Sequence, residues 1–345
     1  MVETGLARRL HLIWAFRNEA GSTGNFVRRK AFSSAYLYHL LTAKYIIGTH
    51  GVPYWKSRKQ ISILLWHGFP TKIENLDTMA RKLTIHTLPS RINHLIATSS
   101  FGAVVFSSKF RLPLDKILLL GEPRCDGLFK SRHEARRTLE EVLGERIASA
   151  RIIFYLPTFR DYDTLGTHRV AADLLRQERF GQFIKKWDSL LILKPHIYDE
   201  GIFEDYGSNY DSMRGRFRII TSRELHRHDV TLYDFMAAAD ILVTDYSSVS
   251  RDYLLVDRPI VFYVPDLEEY RKKRNFILEP FELWSPGDKA KNSDELINAL
   301  EDGFKNPKKW ERERAWLRDV MFAHRDGNSS ERIINHFWGG AGDQP

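Results

Sequence analysis

The sequence predicts an α/β fold of two domains, each built on a doubly wound parallel sheet. Short apolar runs recur along the chain, and each ends in a small polar or glycine-bearing turn, as strands buried on both faces do. Helical patterns separate several of these runs. The runs also fall into two series with a seam near residues 122–132, and strand alternating with helix twice over implies two α/β domains. The domains are accordingly placed at residues 1–125 and 126–345, with the last helix expected to pack back on the first domain.

In the first series, "SSAYLYHLLTAK" (33–44) sets Leu37, Leu40 and Leu41 at helical spacing behind a serine cap. The runs "YIIGT" (45–49), "ISILLWHG" (61–68), "LIATSS" (95–100) and "KILLLGEP" (116–123) follow as strands. A charged helix, "SRHEARRTLEEVL" (131–143), opens with Ser131 and Glu134 at capping-box spacing. The second series is "RIIFYLPT" (151–158), "LLILKPH" (190–196), "FRII" (217–220), "ILVT" (241–244) and "PIVFYV" (259–264). Between its strands, "TLYDFMAAA" (231–239) reads as a helix with Leu232, Phe235, Met236 and Ala239 on one face.

Composition narrows the function. With Cys125 as the only cysteine, an intramolecular disulfide and a cysteine-rich zinc site are excluded, and a reducing cytoplasm fits best. No apolar segment approaches the roughly 18 residues of a membrane helix, so a spanning segment is not expected. The first fifteen residues also lack the pattern of a signal peptide. The formal charge of +8 favours an anionic partner. Basic residues cluster at Arg28–Lys30, Lys56–Lys59, Arg271–Arg274 and Lys308–Lys309, which are ordinary solvated surface or a means of docking on an anionic membrane face. A noncatalytic polyanion-binding protein would interleave such residues with exposed aromatics. Many of the 8 Trp, 14 Tyr and 21 Phe fall instead in apolar runs, and no nucleic-acid partner is expected.

Ligands of open α/β sheets bind beyond the carboxyl ends of the strands. His67 and Gly68 follow the run at 61–65; a lone turn histidine is more often structural than catalytic. Thr158 and Arg160 follow 151–156, and the planar Arg fork suits phosphate. Lys194 and His196 follow 190–193 and point the same way in extended chain. After 241–243 comes "TDYSSVSRD", with Thr244, Asp245, Ser247 and Ser248 at the start of a helix whose apolar face is Val249, Tyr253 and Val256. Ser247 as a plain cap needs one hydroxyl, whereas two in tandem also suit an anion site at a helix start; both readings stand at this point. Asp161 and Asp163 superficially suggest a Mg²⁺ pair, although an exposed loop is the simpler reading, and no cofactor is expected to be required. The chain has no Walker-type glycine loop and no GxGxxG.

At these residues the chain resembles the CDP-glycerol glycerophosphotransferase family, which includes the teichoic acid primases and polymerases of bacterial envelopes. The matching pieces, in order, are "TAKYIIGTHG", "WHGFPTK", "GEPRCDGLF", "YLPTFRD", "LILKPH", the long run from Asp229 to Tyr270, and "DGNSSERI". The resemblance implies a GT-B architecture, two Rossmann-like domains facing a cleft. It implies transfer of a polyol phosphate from a CDP-activated donor to a hydroxyl of a lipid-linked glycan acceptor, with release of CMP, at the inner face of the cell membrane. Carried over by position, His67 is the base on the acceptor hydroxyl, His196 engages the donor diphosphate, and Ser247 and Ser248 hold donor phosphate. Arg160, Lys194 and a protonated His196 would neutralise charge developing on the leaving CMP. Ile197 departs from the proline common after the second histidine, and family members commonly carry more chain ahead of "LHLIWAF", so a short amino-terminal half-sheet is expected. A nucleotide-sugar glycosyltransferase or epimerase and a capsule-type sugar-phosphate transferase are the nearest alternative readings, since one fold hosts all of them.

Overall fold

The computed structural model describes residues 11–16, 27–31, 33–51, 56–71, 91–147, 151–160, 166–203 and 215–339. The chain divides into two compact units, one of residues 1–67, 74–126 and 320–345, the other of 68–73 and 127–319. Asp161 and Asp163, the sequence-level Mg²⁺ pair, lie outside the described residues. No helix among the described residues is long and apolar enough to cross a membrane.

In the first unit, strands β1 (Ile13–Phe16) and β2 (Val27–Lys30) form a parallel pair. A four-stranded parallel sheet follows in chain order, β3 (Tyr45–Gly48), β4 (Ile61–Leu64), β5 (His94–Ala97) and β6 (Ile117–Leu119). Neighbouring residues on these strands face opposite sides, because side chains alternate along a strand. Leu64, Leu95 and Ala97 pack against Phe106 and Phe110 of the helix Ser100–Phe110. Ile63 and Ile96 pack on the other side against Ile333, Ile334 and Trp338 of the helix Ser329–Trp338. That last helix is tied down by Asp126, whose two carboxylate oxygens accept from Ser329 N at 2.9 Å and Ser330 N at 2.8 Å. Gly121 makes the tie possible: its φ is +80°, and a Cβ there would stand 2.5 Å from Ser329 Oγ.

The second unit holds six parallel strands in the order β12-β11-β10-β7-β8-β9. These are β7 (Arg151–Leu156), β8 (Ser189–Leu193), β9 (Phe217–Ile219), β10 (Ile241–Thr244), β11 (Ile260–Tyr263) and β12 (Asp288–Ala290). Counted from β7, this is the doubly wound order 3-2-1-4-5-6, whose direction reverses between β7 and β10. One face packs Ile153, Leu191 and Val243 against Leu174, Phe180, Ile184, Leu296 and Leu300 from three helices. Phe154 and Leu242 are likewise buried, and Phe154 meets Phe235 with ring centroids 5.8 Å apart. Sheets covered on both faces explain why the strands read as unbroken apolar runs.

Local expectations fare unevenly. The capping box forms at the helix Arg132–Leu143, with Ser131 Oγ accepting from Glu134 N and Glu134 accepting from Ser131 N. The helix Ser34–Thr42 also forms behind Ser33, but of its leucines only Leu40 is buried. The helix expected over 231–239 is instead two short 3-10 turns, Leu232–Asp234 and Met236–Ala238. Asp234 accepts from Thr231 N and Thr231 Oγ1, each at 2.7 Å, and pairs with Lys130, which sets a tight turn where an α-helix would have run. The helix expected after Ser248 is one turn, Val249–Asp252, continued by a 3-10 turn at Tyr253–Leu255.

Candidate functional site

The sheet of the second unit changes direction between β7 and β10, and there the ends of those strands are bonded together. Thr158 donates to Asp245 through its backbone N (3.0 and 3.1 Å) and its Oγ1 (2.6 Å), and Tyr246 N donates to the same carboxylate at 2.6 Å. Thr244 Oγ1 reaches back to Leu156 O at 2.7 Å. Behind this seam lies Arg160, 2% exposed. Its Nε and Nη2 donate to the two oxygens of Asp266 at 2.6 and 2.9 Å, while Nη1 reaches Thr158 O at 2.9 Å and Asp245 at 3.2 Å. Tyr246 completes the cluster: its hydroxyl donates to Asp266 at 2.8 Å and its ring stacks on Tyr270 with centroids 3.8 Å apart.

This arrangement gives Arg160 two carboxylate partners that its sequence neighbours do not announce. A fork engaged along its Nε–Nη2 edge by one carboxylate and at Nη1 by another does not stand free as a phosphate clamp; it holds two loops in register. Burial alone would make the guanidinium easier to deprotonate, but the bonds and charges of Asp266 and Asp245 drive its pKa above the ordinary value. Burial would likewise raise Asp266, yet the Arg160 bonds and charge and the Tyr246 hydroxyl hold its carboxyl below the usual range. Thr158, Thr244 and Asp245 are also hydrogen-bonded inside the cluster.

Ser247 and Ser248 emerge from this scaffold half-buried. Neither is a strong cap: Ser248 occupies the N-cap position in αR conformation with no side-chain bond, and Ser247 Oγ is 3.4 Å from Val249 N. Four residues of helix give little dipole, so any anion here would be held by hydroxyls and local amides rather than by a long helix. Arg251 follows one turn on, buried, with Nη1 on Ser250 Oγ at 2.9 Å; burial pushes its pKa down to about 10 against the opposing charge of Asp252.

At the end of β8, Lys194 and His196 part company. Lys194 Nζ lies 2.6 Å from Glu200 Oε1, which also accepts from Ser222 Oγ and Ser222 N. The ammonium is thus paired within its own loop. His196 is exposed and its ring stacks on Phe159, with centroids 5.4 Å and planes 19° apart. Tyr198 N donates to His196 Nδ1 at 3.4 Å, which makes Nε2 the hydrogen-bearing nitrogen of the neutral ring.

In the first unit, His67 sits in a strained turn: Trp66 has φ +59° and Gly68 φ +139°. The His67 ring lies against His50 and Trp66, each with centroids 4.2 Å away. Nδ1 is 2.9 Å from Thr49 O. A carbonyl only accepts, so Nδ1 carries the hydrogen and Nε2 presents a lone pair. Partial desolvation of this exposed residue's ring is the main cause of a pKa below 6.5; the Thr49 bond opposes it, and His50, Arg124 and Lys109 add to the lowering. The result is a neutral imidazole near pH 7 with its basic nitrogen fixed by the backbone.

A family model described as CDP-Glycerol:Poly(glycerophosphate) glycerophosphotransferase matches residues 3–339. The chain belongs to this glycerophosphotransferase family. It is 28% identical to the teichoic acid poly(glycerol phosphate) polymerase of Bacillus spizizenii, over 95% of this chain and 84% of that one. It is 30% identical to the teichoic acid ribitol-phosphate primase of the same organism, over 87% of this chain and 76% of the relative. In structure it is similar to the wall teichoic acid polymerase TagF in an H444N form soaked with CDPG, with a TM-score of 0.80 and 22% identity over 97% of this chain and 83% of that one. That likeness establishes the two-sheet α/β fold.

Within this glycerophosphotransferase-family chain, the structure unites Thr158, Arg160, Thr244 and Asp245 directly, and places Ser247 two residues from that cluster and His196 against Phe159, the neighbour of Thr158. Lys194 is turned to Glu200, and His67 and Gly68 stand at the end of β4. Asp266, Tyr246, Phe159 and Tyr198 escaped the sequence reading. Asp266 lies 106 residues from Arg160, and no local spacing signals that pair. The basic clusters are partly self-compensated: Arg271 pairs with Glu268 and Glu279, and Lys309 with Asp288 and Asp302.

Proposed function

We propose that this chain transfers glycerol phosphate from CDP-glycerol to a hydroxyl of a lipid-linked glycan acceptor in cell-envelope polymer synthesis, releasing CMP. The acceptor oxygen attacks the phosphorus that bears glycerol, the bond from that phosphorus to the bridging oxygen breaks, and CMP departs with the bridging oxygen. The acceptor proton goes to His67 Nε2. His196, through its Nε2 hydrogen, and the Ser247 and Ser248 hydroxyls contact the donor diphosphate, while Arg160, Asp245 and Asp266 hold those loops in place. Positioning and charge stabilisation carry most of such a displacement. The observation that carries the reading is the His67 tautomer, with the Thr49 carbonyl on Nδ1 leaving Nε2 basic, in a chain matched by the family model over almost its whole length.

No dedicated metal enters this proposal, and added chelator is expected to leave CMP release intact. A lipid-linked acceptor calls for action at the inner face of the cell membrane, where exposed basic residues such as Lys272 and Lys273 would face anionic headgroups. The test is CMP release from CDP-glycerol, with CDP-ribitol as competitor donor, in the presence of a membrane extract. CMP release that survives both His67→Ala and Ser247→Ala would discredit the site. Preference for CDP-ribitol would move the polyol assignment toward that of the ribitol-phosphate primase relative.

A further inference from the structure

Three aromatic rings gather at the carboxyl ends of β7 and β8. Phe159 stacks on His196, Tyr198 lies 5.4 Å from Phe159 at 56°, and Tyr198 lies 5.1 Å from His196 at 42°. Tyr198 is 73% exposed, more than any other of the described exposed large hydrophobic side chains, and Ile197 beside it is 57% exposed. Core packing does not account for the placement of Tyr198 and His196, which are exposed, while Phe159 beneath them is half-buried. The turn that presents them is nonetheless fixed: Asp199 N donates to His196 O at 2.8 Å, and Asp199 itself is 1% exposed. A rigid turn holding a solvent-facing aromatic side chain is preorganised for a flat partner.

The cluster is also placed by covalent and hydrogen-bonded continuity. Phe159 directly follows Thr158, whose N and Oγ1 are bonded to Asp245, two residues before Ser247. The aromatic rim and the serine hydroxyls therefore flank the same switch point, where an open α/β sheet binds its ligand. Hydroxyls on one side and aromatic faces on the other match a planar heterocycle attached to phosphates. We propose that Tyr198 and Phe159 form the stacking platform for the nucleobase of the donor nucleotide. This deepens the proposed function and rests on it: the diphosphate binds at Ser247 and Ser248, and the base lies over the Phe159–Tyr198 surface. Stacking on such a surface tolerates any pyrimidine, so the platform supplies affinity for the nucleotide while discriminating weakly between cytosine and uracil.

The test measures binding of CDP, UDP and inorganic diphosphate by calorimetry, and CDP-glycerol kinetics, for the full chain and for Tyr198→Ala and Tyr198→Phe. Circular dichroism confirms the fold of each variant. Tyr198→Ala is expected to weaken CDP and UDP alike by about tenfold, leave inorganic diphosphate unaffected, and act through KM rather than kcat. Tyr198→Phe is expected to restore binding, because a phenyl face stacks as a phenol does. Unchanged CDP affinity in Tyr198→Ala overturns the platform while leaving the donor reading intact. An equal loss of CDP and inorganic diphosphate also overturns it, since that marks a collapsed phosphate loop. Failure of the unmodified chain to bind CDP overturns the donor reading and the platform with it.

Discussion

Arg160 closes a two-pronged bond on Asp266, at 2.6 and 2.9 Å, across 106 residues of chain. The pair is the base on which the loops after β7 and β10 rest, because the same guanidinium reaches Thr158 O and Asp245. Asp266→Asn would leave a buried cation short of one of its two anions, at a cost of roughly 3 kcal/mol. Urea unfolding should show this as a lower midpoint. Asp266 is held below its ordinary pKa of 3.8, so its contribution is present above that pH and is lost as pH falls through the lowered folded value. The difference between wild type and Asp266→Asn should accordingly narrow in acid below that range; a gap that stays constant there would assign the loss to packing.

The acid limb of kcat/KM reports the free base. With the His67 pKa below 6.5, the fraction of neutral imidazole stays high as pH falls to that value and declines only beneath it. A pH-rate profile whose acid midpoint lies above 6.5 would contradict His67 as the base.

Removal of that base is the plainest kinetic test. His67→Ala is expected to lower kcat by about a hundredfold to ten-thousandfold, with little change in CDP-glycerol binding. Ser247→Ala should do the reverse, raising KM for CDP-glycerol by about tenfold through loss of one hydrogen bond to a charged group. Single-turnover and steady-state measurements separate the two outcomes.

Asp126 caps the helix Ser329–Trp338 through Ser329 N and Ser330 N. Asp126→Ala should cost roughly 1–2 kcal/mol of stability, typical of a lost N-cap, visible in thermal melting. Gly121→Ala is expected to destabilise as well, since its φ of +80° is strained for alanine and the new Cβ would meet Ser329 Oγ. A melt unchanged in both variants would mean that this helix adds nothing to the stability of its unit.

Much of the fold was legible because parallel strands buried on both faces write continuous apolar runs, as "RIIFYL" and "ILVT" do. Strand β12, "DKA" at the sheet edge, carries no such run and was invisible. The helical periodicity of "TLYDFMAAA" misled, since Phe235 and Met236 are buried in tight turns that give the same burial as a helix face. His67, His196, Ser247 and Ser248 stand out in the sequence by residue type at strand ends, and the roles proposed for them come from the family resemblance.

By itself, the sequence determined the strands, the residues that end them, and the family, because each is written in contiguous chain. Tertiary structure alone decided what those residues are free to do. Charged side chains take their partners from whatever the strand order brings near, so Arg160 went to Asp266 and Asp245 and Lys194 to Glu200, while His67 and His196 stayed exposed and Ser247 and Ser248 half-buried. Desolvating an ion is costly unless an opposite charge meets it, and which charge does so depends on topology, which no local pattern encodes.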